Sequence, residues 1–190
     1  MDLQRLNVKL YLEEEGAISS KDAFRIFNTW IPKTTDETLI DVADYSHLPH
    51  GPQTLLVGHE ANYSLDNTDG RMGVMYARKQ PVSGTGAERI RDAFARTLST
   101  CVRLEQEEEL DGKVRFRGDE CWFVVNDRLH ATNDEATLEA IRPDLEAVLT
   151  QLYGDQFTVK RQQGEKDRFS VRVNSQQQES VSTLLEKVTG

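Results

Sequence analysis

The chain has 190 residues, with 23 Lys plus Arg against 32 Asp plus Glu and a formal net charge of -9. A chain of this length should bury roughly 70% of its unfolded surface, so its core needs no disulfide or structural metal. With 37% hydrophobic and 29% charged residues, 12 Gly and 5 Pro, collagen-like, disulfide-scaffold and wholly disordered chains are excluded. The acidic balance argues against nonspecific binding of nucleic acid or anionic membrane, either of which would need a local basic patch.

The opening residues, Met1 to Arg5, have neither a charged n-region nor an apolar h-region, so no secretory signal is expected and the cytoplasm is the default location. No apolar run approaches the ~20 residues that span a bilayer. Leu6, Val8, Leu10 and Leu12 alternate with polar or amphipathic residues, the period of a strand with one buried face. Ser19 or Ser20 then caps a helix carrying Ala23, Phe24, Phe27, Trp30 and Ile31, which Pro32 stops. Strands are expected around residues 38–43 and 54–57. The turn residues Asn67-Thr68-Asp69-Gly70 set a hairpin leading into a strand over residues 72–77.

Thr85 and Glu88 form a capping box that opens a long helix, with Ile90, Ala93, Phe94, Leu98, Cys101 and Leu104 on one face. The acidic run from Glu105 to Asp111 reads as a helix end and linker. Residues 114–116 and 121–125 read as strands around a Gly118-Asp119 turn or bulge. Thr132 and Glu135 predict a second capping box, and Pro143 a restart of the helix that carries Leu138, Ile141, Leu145, Val148, Leu149 and Leu152. Strands over Phe157–Val159 and Phe169–Val173 flank a turn at Gln163-Gly164-Glu165, and Val181 to Val188 close the chain as an amphipathic helix.

This order predicts an α+β protein, mainly antiparallel sheet with helices packed on it. It divides into two halves, 1–106 and 107–190, packed together and joined near Leu110 to Lys113. Two ferredoxin-like halves would satisfy the order, as would other α+β sandwiches. Cys101 and Cys121 both fall among apolar residues and are expected to be buried thiols.

Nothing along the chain names a reaction, but three features bear on chemistry. His47, His50 and His59 lie within thirteen residues, near Asp44, Glu60 and Asp66. Three imidazoles could ligate zinc or another divalent metal, with Glu60 or Asp66 activating a bound water and Asp44 orienting a ring. Next, Ser83-Gly84-Thr85-Gly86 enters a helix N-terminus, where free amides favour an anion that Arg78, Lys79 and Arg89 could help to hold. Residues 71–103 carry seven Lys or Arg and two Asp or Glu, a basic stretch in an acidic chain. Finally, Arg89, Arg96 and Arg103 recur every seven residues, a stripe suited to an acidic partner surface.

The stretch Ile40-Asp41-Val42-Ala43-Asp44-Tyr45-Ser46-His47, with Gly51-Pro52 and Leu56 through Asp66, resembles a group of uncharacterised bacterial proteins. That resemblance implies a bacterial cytosolic origin and carries no activity, cofactor or catalytic residue. Two functional classes stay open: a module that binds a protein partner or a small anion, and a metal-dependent hydrolase built on the three histidines. Oligomeric state is not legible.

Overall fold

The computed structural model describes residues 2–162, 164 and 167–190. Strand β1 (Leu6–Leu12) leads to helix α1 (Ser20–Trp30). Four strands follow, β2 (Leu39–Asp44), β3 (Pro52–Gly58), β4 (Ala61–Asp66) and β5 (Gly73–Arg78), and then helix α2 (Gly86–Glu105). A 3-10 turn at Glu108–Leu110 passes the chain to β6 (Phe116–Val125), α3 (Glu135–Tyr153), β7 (Phe157–Arg161), β8 (Ser170–Ser175) and α4 (Val181–Thr189). All eight strands form one antiparallel sheet in the order β2-β3-β4-β5-β1-β6-β8-β7. The α+β expectation holds.

Alternation in β1 decides which face of the sheet is covered. Leu6, Val8, Leu10 and Leu12 join the core with Ile90, Phe94 and Leu98 of α2, while Asn7, Lys9 and Tyr11 point to the other face. The ladder carries the same split across the sheet. Val42, Leu56, Tyr63, Tyr76, Val8, Phe123 and Val171 lie in one register row on the helix side. Leu55, Ser64, Met75, Lys9, Trp122, Arg172 and Lys160 make a row on the opposite side. Helix α1 packs over β2 and β3, α2 over β1 and β5, α3 against β7, and α4 against β6. Four helices therefore share one face, and no helix among the described residues packs on the other.

The two halves meet twice. In the sheet, β1 pairs with both β5 and β6; above it, α2 packs against α3 and α4. The expected joint at residues 110–113 is a tight reversal in which Asp111 and Gly112 take φ of 51° and 66°.

Several local readings shift. The second capping box does not form: Asp134 is the N-cap of α3 and accepts from the Thr137 amide at 2.8 Å. Asn133, just before that cap, donates its side-chain amide to the Gln162 and Gly164 carbonyls, both at 3.0 Å. Pro143 lies inside a continuous α3, whose lost backbone bond is outweighed by burial of Leu138, Ile141 and Leu145, each worth about 1.5–3 kcal/mol. The strand expected around residues 54–57 is β3, and His59 and Glu60 turn the chain from it into β4, a further strand. The two strands expected around Gly118 are one, β6, whose pairing to β1 shifts register between Leu10 and Leu12. Strands β7 and β8 pair as expected; Gln163 and Glu165 of their turn lie outside the described residues. No helix of the described residues is long and apolar enough to cross a membrane.

Candidate functional site

The histidine cluster is close only in sequence. His47 and His50 sit in the exposed loop before β3, and His59 in the exposed turn after it. A seven-residue strand rising about 3.3 Å per residue separates the two ends by roughly 20 Å. The carboxylates expected beside them have other partners. Asp44 accepts from the Ser46 amide at 2.8 Å, Glu60 faces Arg78 at 3.4 Å, and Asp66 is bound to Lys9 at 2.8 Å. Among the described residues no group of three His, Cys, Asp or Glu side chains is placed to hold a metal ion. The expected zinc geometry is therefore not assembled.

The Ser83–Gly86 segment does enter α2, and the capping box is present: Thr85 Oγ1 accepts from the Glu88 amide at 3.2 Å, and Glu88 Oε2 accepts from the Thr85 amide at 2.7 Å. That carboxylate stands where an external anion was expected. A second one, Asp144, lies against Gly86 so closely that a Cβ there would collide with it. Arg89 turns away to Asp2 and the Leu3 carbonyl. Arg78 donates to the Gln80 carbonyl at 2.8 Å and faces Glu60 and Asp92. The Thr85 and Glu88 amides are thus satisfied within the capping box, and two carboxylates of the chain lie at the positive end of the helix.

The arginine stripe is spread over three partners. Arg89 meets Asp2; Arg96 donates to Asp36 at 3.0 Å and lies 3.6 Å from Asp92. Arg103 lies over the Trp30 ring at 4.1 Å and donates to Thr34 Oγ1 at 3.0 Å. Arg96 and Arg103 flank a hollow of about 80 Å³ between α1 and α2, floored by Leu39, Leu56 and Tyr63. The Tyr63 hydroxyl donates to Glu37, whose two carboxylate oxygens both lie at 2.9 Å. Burial raises both groups above their ordinary values. The two cysteines are buried and unbridged, and burial pushes both thiols up.

A large charged network lies on the helix-free face, of which sequence reading named only Asp66. Lys9 is fully buried, and its ammonium donates to Asp66 at 2.8 Å, Asp69 at 2.6 Å and the Arg71 carbonyl at 2.7 Å. With three protons and three acceptors the nitrogen is saturated, so it has no lone pair for nucleophilic work. Asp69 also accepts from the Tyr11 hydroxyl at 2.8 Å and from Arg172 at 2.5 Å. Burial pushes the Asp69 carboxyl up, but the hydrogen bonds and charge of Lys9, with Tyr11 and Arg172, outweigh it and hold the group down to about 2. Arg71 lies over the Tyr11 ring at 4.0 Å and grips Glu120 with two hydrogen bonds of 2.6 and 2.9 Å. The network fastens the β4–β5 turn onto the sheet and ties β1 to β6 and β8.

Beside it, between that turn and the loops that follow β6 and β7, is a hollow of about 370 Å³. Trp122 and Val124 line it from β6, with Ser170 and Arg172 from β8, and Arg128 and Arg168 border it from the loops. The Trp122 indole N–H is buried and has no acceptor among the described residues. On the same face the side-chain oxygens of Asn7 and Asn62, both opposite Ala77, are likewise buried and without donors.

The chain matches no protein-family model and no curated protein in sequence.

Proposed function

We propose that the chain is a binding module that takes an acidic segment of a partner protein on the helix-free face of its sheet. The proposed setting is a bacterial cytoplasm, as the resemblance in residues 40–66 implies. The observation that carries the reading is the hollow lined by Trp122 together with Arg128, Arg168 and Arg172, beside Asp69 and Asp167. Three arginines outnumber the Asp69 and Asp167 carboxylates in the lining, a local excess of positive charge in a chain of net charge -9 that favours an anionic occupant and speeds its encounter. Arg172 is committed to Asp69, so Arg128 and Arg168 are the cations available to a ligand.

The hydrolase alternative finds no support in the geometry, since its three imidazoles lie at opposite ends of β3. A small anion held by the Ser83–Gly86 amides is disfavoured by the Glu88 carboxylate already bonded there.

Trp122 reports on this site directly. In a Trp30→Phe background it is the sole tryptophan, and a glutamate-rich peptide should change its emission saturably, with affinity falling as salt rises. Arg128→Ala with Arg168→Ala should weaken binding at least about tenfold, the loss of two charge-assisted contacts. No spectral change, or an unchanged affinity in the double variant, overturns the reading.

A further inference from the structure

We infer that the hollow between α1 and α2 is a second, separate site, which binds a short-chain aliphatic carboxylate through Arg103. Helix α1 covers β2 and β3 and helix α2 covers β1 and β5, leaving β4 between them, where Tyr63 faces upward into the gap. The resulting space of about 80 Å³ suits a group the size of a small side chain and excludes a nucleotide or a sugar. Its lower walls are apolar, from Trp30, Leu39 and Leu56, and its rim is charged.

The unusual member is Arg103. Its guanidinium is stacked on the Trp30 ring at 4.1 Å and makes one side-chain hydrogen bond, to Thr34 at 3.0 Å. No carboxylate among the described residues lies within 4.0 Å of it, although Arg89 and Arg96 of the same stripe are both paired. Trp30 itself is fixed, because its indole N–H donates to Glu107 at 2.6 Å. Stacking on a fixed ring holds the guanidinium plane, and a planar fork with free N–H groups is the geometry that receives a carboxylate on two bonds. Burial pulls the Arg103 group below its ordinary value, an effect that Glu107, Asp36 and Glu37 offset only in part.

Glu37 lines the same cleft and acts on Arg103 only from a distance. Its carboxylate is taken by the Tyr63 hydroxyl, and burial raises it despite that bond and the nearby Arg96. A bound carboxylate would give Arg103 the contact ion pair it lacks, while two or three carbons of alkyl chain would cover the apolar walls. The site lies on the helix side of the sheet and uses none of the residues proposed for the acidic peptide.

Propionate and propionamide have the same size and shape and differ in charge, so they separate this reading from simple cavity filling. In a Trp122→Phe protein, Trp30 is the sole tryptophan and stacks directly on Arg103. Propionate should shift its emission saturably with a Kd on the order of millimolar, fitting for a ligand of five non-hydrogen atoms. Propionamide should bind at least about tenfold more weakly, and Arg103→Lys, which keeps the charge but loses the fork, should weaken propionate by a similar factor. Equal responses to the two ligands, no saturable response to propionate, or an unchanged affinity in Arg103→Lys would each overturn the assignment. Because the Trp122 and Trp30 reporters are separate, failure here is distinguishable from failure of the peptide site.

Discussion

Lys9 and Asp69 meet at 2.6 Å with the ammonium fully buried and the carboxylate nearly so. The contact locks the β4–β5 turn down onto the middle strand of the sheet. Removing the cation leaves Asp66 and Asp69 buried and facing one another, which costs about 3–5 kcal/mol. Lys9→Met should therefore lower the urea midpoint sharply. The double variant Lys9→Met, Asp69→Asn should recover part of the loss, because it deletes one of the stranded charges. A double variant no better than Lys9→Met would show that the charge pairing is not what holds the turn.

Asp69 also makes stability depend on acid pH. Its carboxyl is held at about 2 in the folded chain against an ordinary 3.8. A depressed folded value contributes stability that is present above the unfolded value and is lost as pH falls through the folded one. The stability gap between wild type and Asp69→Asn should thus be widest above pH about 4 and close toward pH about 2. Urea titrations at several acid pH values read this gap, and one that stayed constant across the window would contradict the linkage.

Why this network escaped the sequence is plain from its spacing. Lys9 bonds Asp66 and Asp69 across 57 and 60 positions, and Tyr11 bonds Arg172 across 161. In sequence, Lys9 and Tyr11 are the amphipathic positions of an alternating strand, indistinguishable from a solvated face. Helix α2 was legible because its capping box and apolar face are local, and the Asn67–Gly70 turn for the same reason. Strand β4 was not, since His59 and Glu60 carry none of the glycine or asparagine chemistry that announces a tight hairpin. The same turn separates His59 from His47 and His50, and no count of histidines reveals it.

The helix α2 cap gives a test of the anion question. Thr85→Ala removes the hydroxyl that accepts from the Glu88 amide and should cost about 1 kcal/mol, as N-caps do. Since the Glu88 carboxylate already takes the Thr85 amide and sets a negative charge at the segment, phosphate should shift the melting temperature of the wild type little. Its effect should grow in Glu88→Gln, where the competing charge is gone. A large phosphate effect in the wild type that is lost in Arg89→Ala would restore the original expectation of an anion site there.

Cys101 and Cys121 are both fully buried, and burial pushes both thiols well above their ordinary values. Neither should react with a thiol reagent in the native state, because the thiolate is the reactive form and neither sulfur is reached by solvent. Labelling should proceed only through opening of the fold and accelerate with urea. Rapid native-state labelling of either residue would be inconsistent with its place in the core.

The sequence divides into two halves between residues 106 and 107, which the structure joins through shared elements. Strand β1 belongs to the first half yet pairs along its length with β6 of the second, and α2 packs on α3 and α4. Across the same seam, Arg71 holds Glu120 and Asp69 holds Arg172. Neither half can unfold without exposing an edge of β1 or β6 and the apolar face of α2, so the chain should melt as one cooperative unit. Trp30 on α1 and Trp122 on β6 report on different halves. Trp30→Phe and Trp122→Phe should therefore each give one urea transition, and within each variant the tryptophan signal should share its midpoint with the far-ultraviolet circular dichroism. If the fluorescence midpoints part from the circular dichroism in either variant, the halves unfold separately and the shared strand does not couple them.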